Sequence, residues 1–147
     1  MIQTIEILPQ TLTNNTDDVN FTIVNLRSRS ANCCGWLQYN EGSSNFTIIG
    51  GGTFRISFNA NVTSETTGDV AIALKSNGSA VEGTEMDANI ATADAYSNIS
   101  FTKLIRICPR VNSTFSIGSL PAIGGVTPAV ETEIPTLKGI NFIIEKI

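Results

Sequence analysis

The sequence predicts an all-β protein, a two-sheet antiparallel sandwich of the jelly-roll type, and three observations lead there. From Ile48 to Thr63 the chain reads I-I-G-G-G-T-F-R-I-S-F-N-A-N-V-T, in which Phe54, Ile56, Phe58, Ala60 and Val62 alternate with Thr53, Arg55, Ser57, Asn59 and Asn61. A period of two is the signature of a strand with one buried face, and a slip of one residue would turn Arg55 and both asparagines inward. Further short apolar runs follow one another with turn signals about every ten residues. Finally, Asn, Ser, Thr and Gly are abundant, charged residues make up only 15%, and no apolar stripe with helical spacing is visible.

The elements follow in order. Ile5 and Ile7 flank Glu6 ahead of Pro9, which reads as an N-terminal arm or edge strand within residues 1–12. Residues 13–147 then read as a single jelly-roll domain. The polar run Thr11 to Asp18 is a turn, after which Val19, Phe21 and Ile23 alternate into a strand whose phase slips at Val24 to Leu26, so a bulge near Asn25 is expected. Trp36 to Tyr39 and Phe46 to Ile49 are short apolar runs separated by the turn N-E-G-S-S-N. Val70, Ile72 and Leu74 alternate with Ala71, Ala73 and Lys75, and Asn77-Gly78 then supplies a type I′ hairpin turn, since both residues tolerate positive φ. Glu82 to Ala95 is acidic and rich in small residues, and reads as an edge strand and loop. Tyr96 to Ile107 is the next strand, ended by Pro109, with another at Thr114 to Ile117. Residues 118–136 form the one long stretch without a strand pattern, and Ile140, Phe142 and Ile144 mark the last strand.

At 147 residues the chain suits one domain, able to bury roughly 70% of its unfolded surface. A net charge of −4 and a pI near 4.7 lack the basic stripe that nucleic acid requires. No run approaches the ~20 apolar residues of a membrane span. The N-terminus has no basic segment, and its apolar run is broken by Glu6 and Pro9, so it is not a secretory leader and synthesis in the cytoplasm is expected. Sequons at Asn14, Asn20, Asn45, Asn61, Asn77, Asn98 and Asn112 are then read as chance matches in an Asn/Ser/Thr-rich chain.

Cys33, Cys34 and Cys108 allow one disulfide with a free thiol, part of a metal site, or three small hydrophobes in a reducing compartment, and the last is favoured. With no histidine, Ser-His and Cys-His nucleophile pairs are impossible, and G-G-G at Gly50 to Gly52 precedes a strand where a phosphate cradle needs a helix. No enzyme activity, cofactor or metal is therefore expected. Glu82, Glu85 and Asp87 are the nearest approach to a calcium site, but a solvated acidic edge is the better reading, as it is for Asp17-Asp18 and Asp69. Trp36 and Tyr39 are the sole aromatic candidates for stacking on a sugar, and a core role is preferred for both.

Three stretches carry a resemblance to known proteins: P-Q-T-L at Pro9 to Leu12, G-G-G-T-F-R-I-S-F-N-A-N-V-T at Gly50 to Thr63, and F-I-I-E-K-I at Phe142 to Ile147. The spacing to V-A-I-A-L-K-S-N-G-S-A-V at Val70 to Val81 and the strand I-S-F-T-K-L-I-R-I-C at Ile99 to Cys108 fit as well. In this order they resemble the tumour-necrosis-factor-like and complement-globular-head jelly rolls of tailed phages and Firmicutes. The resemblance implies a homotrimer with apolar residues between its subunits. It further implies a virion structural protein, a capsid decoration or head-fibre protein on the capsid surface that contacts the major capsid protein or another virion protein. The alternative is a carbohydrate- or receptor-binding module, such as a fibre tip, adhesin or spore-coat domain, that meets a cell-surface glycan. Ile123, Val126, Val130 and Ile134, apolar residues in a stretch with few charges, are the candidate contact loop, and Ile5 and Ile7 the candidate attachment arm.

Overall fold

The computed structural model describes residues 1–27, 35–125 and 127–147, and no helix occurs among them. The strands are β1 (Ile2–Glu6), β2 (Gln10–Thr11), β3 (Ile23–Arg27), β4 (Leu37–Gln38), β5 (Phe46–Ile48), β6 (Gly52–Ser64) and β7 (Gly68–Ser76). They continue with β8 (Ser79–Ala80), β9 (Met86–Ile90), β10 (Ser97–Ile107), β11 (Ser113–Ser119), β12 (Ala122–Ile123), β13 (Val130–Glu131) and β14 (Pro135–Lys146). One sheet runs β10-β6-β14-β1-β3, with β2 also on β14; the other runs β4-β5-β11-β7-β8, with β9 also on β7. Two antiparallel sheets face each other, the jelly-roll sandwich that the alternation predicts.

β6 sits between β10 and β14 in the first sheet and buries Phe54, Ile56, Phe58, Ala60 and Val62, as its alternation requires. Phe142 of β14 packs at the centre, its ring 5.4 Å from Phe21, 4.9 Å from Phe46 and 6.5 Å from Phe58. Aromatic residues lie on both sheets and on the segment between them, so they tie the layers together, and burying each such ring contributes about 2 to 3 kcal/mol. Trp36 and Tyr39 belong to the same core. The Tyr39 ring stacks on Phe46 at 4.1 Å, and its hydroxyl donates to the Phe21 carbonyl at 2.5 Å. Burial first, then the charges of Glu41 and Glu6, push the Tyr39 pKa up to about 12.

Local irregularities keep this core in phase. Asn25 is the extra residue of a bulge, because Gln3 pairs with Leu26 while Thr4 pairs with Val24. In β14 the register shifts between Lys138 and Asn141, with Gly139 at φ 59 taking the left-handed conformation that lets Leu137 and Ile140 both point inward. Asn77 and Gly78, at φ 50 and 87, make the expected tight turn between β7 and β8.

Three expectations are corrected. The N-terminal segment is neither an arm nor an edge strand: β1 lies between β14 and β3, and it turns Ile2, Thr4 and Glu6 to the interior, so Ile5 faces outward. Its phase is set by pairing with the far C-terminus, not by its own isoleucines. Val19 and Phe21 are fully buried but precede β3. Their N–H groups go to Ile117 and Ser43 respectively, because this segment crosses from one sheet to the other. Residues 118–136 are not one unstructured loop: β11 runs through Ser119, β12 and β13 pair as a small ribbon, and β14 starts at Pro135.

Candidate interaction face

The outer face of the first sheet is built by register. Gln3 lies opposite Ile143, Ile143 opposite Ser57, and Ser57 opposite Thr102. In the next row Ile23, Ile5, Asn141, Asn59 and Ser100 follow one another across five strands. Because each strand alternates, the phase that sends Phe58 and Phe142 inward sends these hydroxyls, amides and isoleucines outward together.

Hydrogen bonds fix many of these side chains. Asn25 Nδ2 donates to Gln3 Oε1 at 3.0 Å, and Gln3 Nε2 donates to Asn141 Oδ1 at 2.8 Å, which makes a chain across three strands. Ser57 and Thr102 share a hydrogen bond of 3.1 Å, and Asn98 Nδ2 reaches the Ala60 carbonyl at 3.2 Å. Ser57, Asn59, Ser100, Thr102, Asn141 and Ile143 line a shallow trough of about 440 Å³. Charge lies toward the margins: Arg55 Nε donates to Glu145 at 3.1 Å, Lys138 Nζ sits 3.7 Å above the Tyr96 ring, and Arg106 is exposed opposite Thr53. The face therefore offers neutral hydrogen-bonding groups on rigid strands, flanked by Ile5, Ile23 and Leu104, the last 60% exposed. Covering the middle rows of this surface buries no charge, and their hydroxyls and amides can be satisfied by matching groups on another neutral sheet.

The predicted contact residues separate. Ile5 and Ile143 share this face, while Ile7, 67% exposed, lies just past the end of β1. Ile123 and Val130 pair across the β12–β13 ribbon. Ile134 instead lines a cleft at one end of the sandwich, and Val126 lies outside the described residues. Cys33 and Cys34 lie outside them too, and Cys108 is exposed at the end of β10.

The acidic candidates are divided as well. Glu85 accepts from the Gly124 amide at 2.8 Å, whereas the Glu82 carbonyl is held by Lys103 Nζ at 2.8 Å. Partial burial, then the neighbouring Glu85 and Asp69, raise the pKa of Asp87 to about 6. No group of three or more His, Cys, Asp or Glu suited to a metal ion occurs among the described residues. No helix there is long and apolar enough to cross a membrane. With Trp36 and Tyr39 in the core, no aromatic stacking platform is left at either position.

Sequence reasoning missed the outer face as a unit. Its signal was the polar half of the β6 alternation, but which residues stand beside Ser57 and Asn59 depends on pairings with distant parts of the chain, such as Ser57 with Thr102, 45 positions on.

No protein-family model and no curated protein matches the chain. Its structure is similar to that of the globular domain of zebrafish complement 1qA, with a TM-score of 0.55 at 10% identity over 97% of this chain and 94% of that one. It is also similar to murine APRIL, with a TM-score of 0.54 at 12% identity over 99% and 97% of the two chains. The fold is thus the TNF/C1q-like jelly roll, as the resemblance of the sequence implies; identities this low speak to fold alone.

Proposed function

We propose that the chain is a non-enzymatic homotrimeric module that packs the outer face of its first sheet around the threefold axis. We further propose that it serves as a capsid decoration or head-fibre protein on the virion of a tailed phage, made in the host cytoplasm. The observation that carries self-association is the uncovered, nearly uncharged sheet face of Ile5, Ile143, Ser57, Asn59 and Thr102, which none of the described chain covers. Isoleucines set among neutral hydrogen-bonding groups suit contact with a second copy of the same face. The absence of histidine and the jelly-roll fold support a binding role over catalysis. The virion assignment rests on the sequence resemblance at residues 9–12, 50–63 and 142–147. Attachment to the major capsid protein would then fall to exposed apolar tips, Ile7 and Leu8 after β1 and Val130 on the ribbon.

The test is the solution mass by light scattering, alone and with capsids assembled from the major capsid protein. A stable trimer that co-sediments with capsids is the expected result. A monomer overturns the self-association reading, and a trimer that ignores capsids overturns the decoration reading.

A further inference from the structure

At one end of the sandwich, away from the open sheet face, the β6–β7 turn meets the connection between β13 and β14 and encloses a cleft of about 380 Å³. Leu12 and Ile134 supply apolar wall, Thr13 and Thr66 hydroxyls, and Glu65 and Glu133 two carboxylates. Leu12 is buried, but Ile134 is left 43% exposed beside it.

The acceptor side is built in advance. Thr66 Oγ1 donates to Glu133 Oε2 at 2.8 Å, and the Glu133 amide donates to the Asp69 carbonyl at 2.8 Å. The Glu133 stem fills the space beside Gly68, where a Cβ would come within 2.8 Å of its Cγ. The hydroxyl of Thr13 is taken by Asp17, whose carboxylate also accepts the Thr13 amide at 2.9 Å. Glu65, exposed in the turn, makes no hydrogen bond or ion pair with another described residue, and no lysine or arginine lines the cleft.

A carboxylate held by Thr66, a second one in the same cleft with no partner among the described residues, and an apolar wall suit an organic cation. A hard metal ion would demand more oxygen ligands than two carboxylates supply. We infer that this cleft takes a basic side chain from a partner protein, an arginine in preference to a lysine. Its alkyl stem lies along Ile134 and Leu12, and its guanidinium lies between Glu65 and Glu133. The planar fork of arginine donates to two carboxylates at once and is less strongly hydrated than an ammonium, which favours it in a half-enclosed site. The net charge of −4 draws basic partners toward the molecule in the same sense. This inference does not depend on the trimer or on the virion assignment.

The experiment is an NMR titration of the full chain with Nα-acetyl-arginine amide and with its neutral isostere, Nα-acetyl-citrulline amide. The arginine probe should shift the backbone amides of Glu65, Thr66 and Ile134 saturably, with the citrulline probe weaker by about tenfold, as the loss of a charge-assisted pair implies. Combining Glu65→Gln with Glu133→Gln should weaken the arginine probe by about tenfold, while Ile134→Ser weakens both probes alike. Glu65→Gln alone, placed in an exposed turn, keeps the test open should the double variant fold poorly, and it too must weaken the arginine probe. Equal shifts by the two probes, shifts confined to other residues, or unchanged affinity in Glu65→Gln would overturn the inference.

Discussion

Lys75 on β7 and Arg55 on β6 both point away from the core and both pair with a carboxylate, yet the Lys75 side chain is 9% exposed and that of Arg55 52%. The difference lies in what covers their sheets. Beside β11, residues 17–19 run as an added strand: Asp18 bridges Gly118, the Val19 amide donates to the Ile117 carbonyl at 2.7 Å, and the Ser119 amide donates to the Asp17 carbonyl at 2.9 Å. Lys75 Nζ reaches over Gly118 to Asp18 at 2.8 Å and to the Thr16 carbonyl at 3.1 Å. The β12–β13 ribbon lies against β7 as well, and every residue from Val70 to Lys75 is buried. The β7–β11 part of the second sheet is thus covered by its own chain, which explains Ala71, Ala73 and Gly118 on its outer side: only small residues let another segment lie so close. Nothing among the described residues covers the outer face of the first sheet, where the places of Ala and Gly are taken by Ser, Thr, Asn and Ile. Small side chains under a strap and hydrogen-bonding ones under open water are two solutions to the same geometric problem. The second solution leaves the surface available to a partner.

The largest way to break the contrast is Gly118→Ala. Its Cβ would stand 2.0 Å from the Asp18 carboxylate oxygen and 2.6 Å from the Asp17 carbonyl, so the strap must lift and Lys75 must lose its partner. Overpacking together with a broken pair should cost about 3 kcal/mol, measured by urea unfolding. Asp18→Ala removes the carboxylate and leaves a buried ammonium, which should cost about 2 kcal/mol; adding Lys75→Met should recover most of it, because the stranded charge is then gone. The matching change on the open face, Thr102→Arg, should move stability by no more than about 0.5 kcal/mol. It should nonetheless abolish self-association in light scattering, and a trimer that survives it would show that this face is not the interface. The smallest effect belongs to Asp87, beside the margin of the covered face. Its folded-state pKa of about 6 lies above the ordinary aspartate value of 3.8, so between these values the folded state binds more protons and stability falls as pH rises. Chemical denaturation across that window should show a shallow decline, which Asp87→Asn should flatten.

Much of the fold is legible in local pattern. The alternation of β6, the Asn77-Gly78 turn, the bulge at Asn25 and the acidic edge strand around Met86 to Ile90 all rest on neighbours in sequence, where sterics and the pleat decide. The N-terminal strand defeats such reading. Ile5 and Ile7 around Glu6 read as an edge strand or arm, but β1 is an inner strand that buries Ile2, Thr4 and Glu6. Glu6 is accommodated because its carboxylate accepts the amide of Thr22 at 3.3 Å as well as the Thr22 hydroxyl, and Thr4 Oγ1 is buried with no hydrogen-bond partner among the described residues. A polar residue on a core face reads locally as solvent-facing, and only its distant partner shows otherwise. The 118–136 stretch fails for a related reason. Its ribbon pairs just two residues on each side and is held from outside, by Glu85 at Gly124 and by the Asp69 carbonyl at Glu133, none of which leaves a periodic trace.

By itself, then, the sequence determined the class of fold, the central strand and its inward face, and the places where the chain reverses. These follow from side-chain alternation and backbone sterics, which act over a few residues. Tertiary structure alone decided that β1 is an inner strand, which sheet is strapped by its own chain, and which is left open. Those outcomes depend on contacts such as Ile2 with Ile144 and Asp18 with Gly118, which join parts of the chain that no local pattern relates.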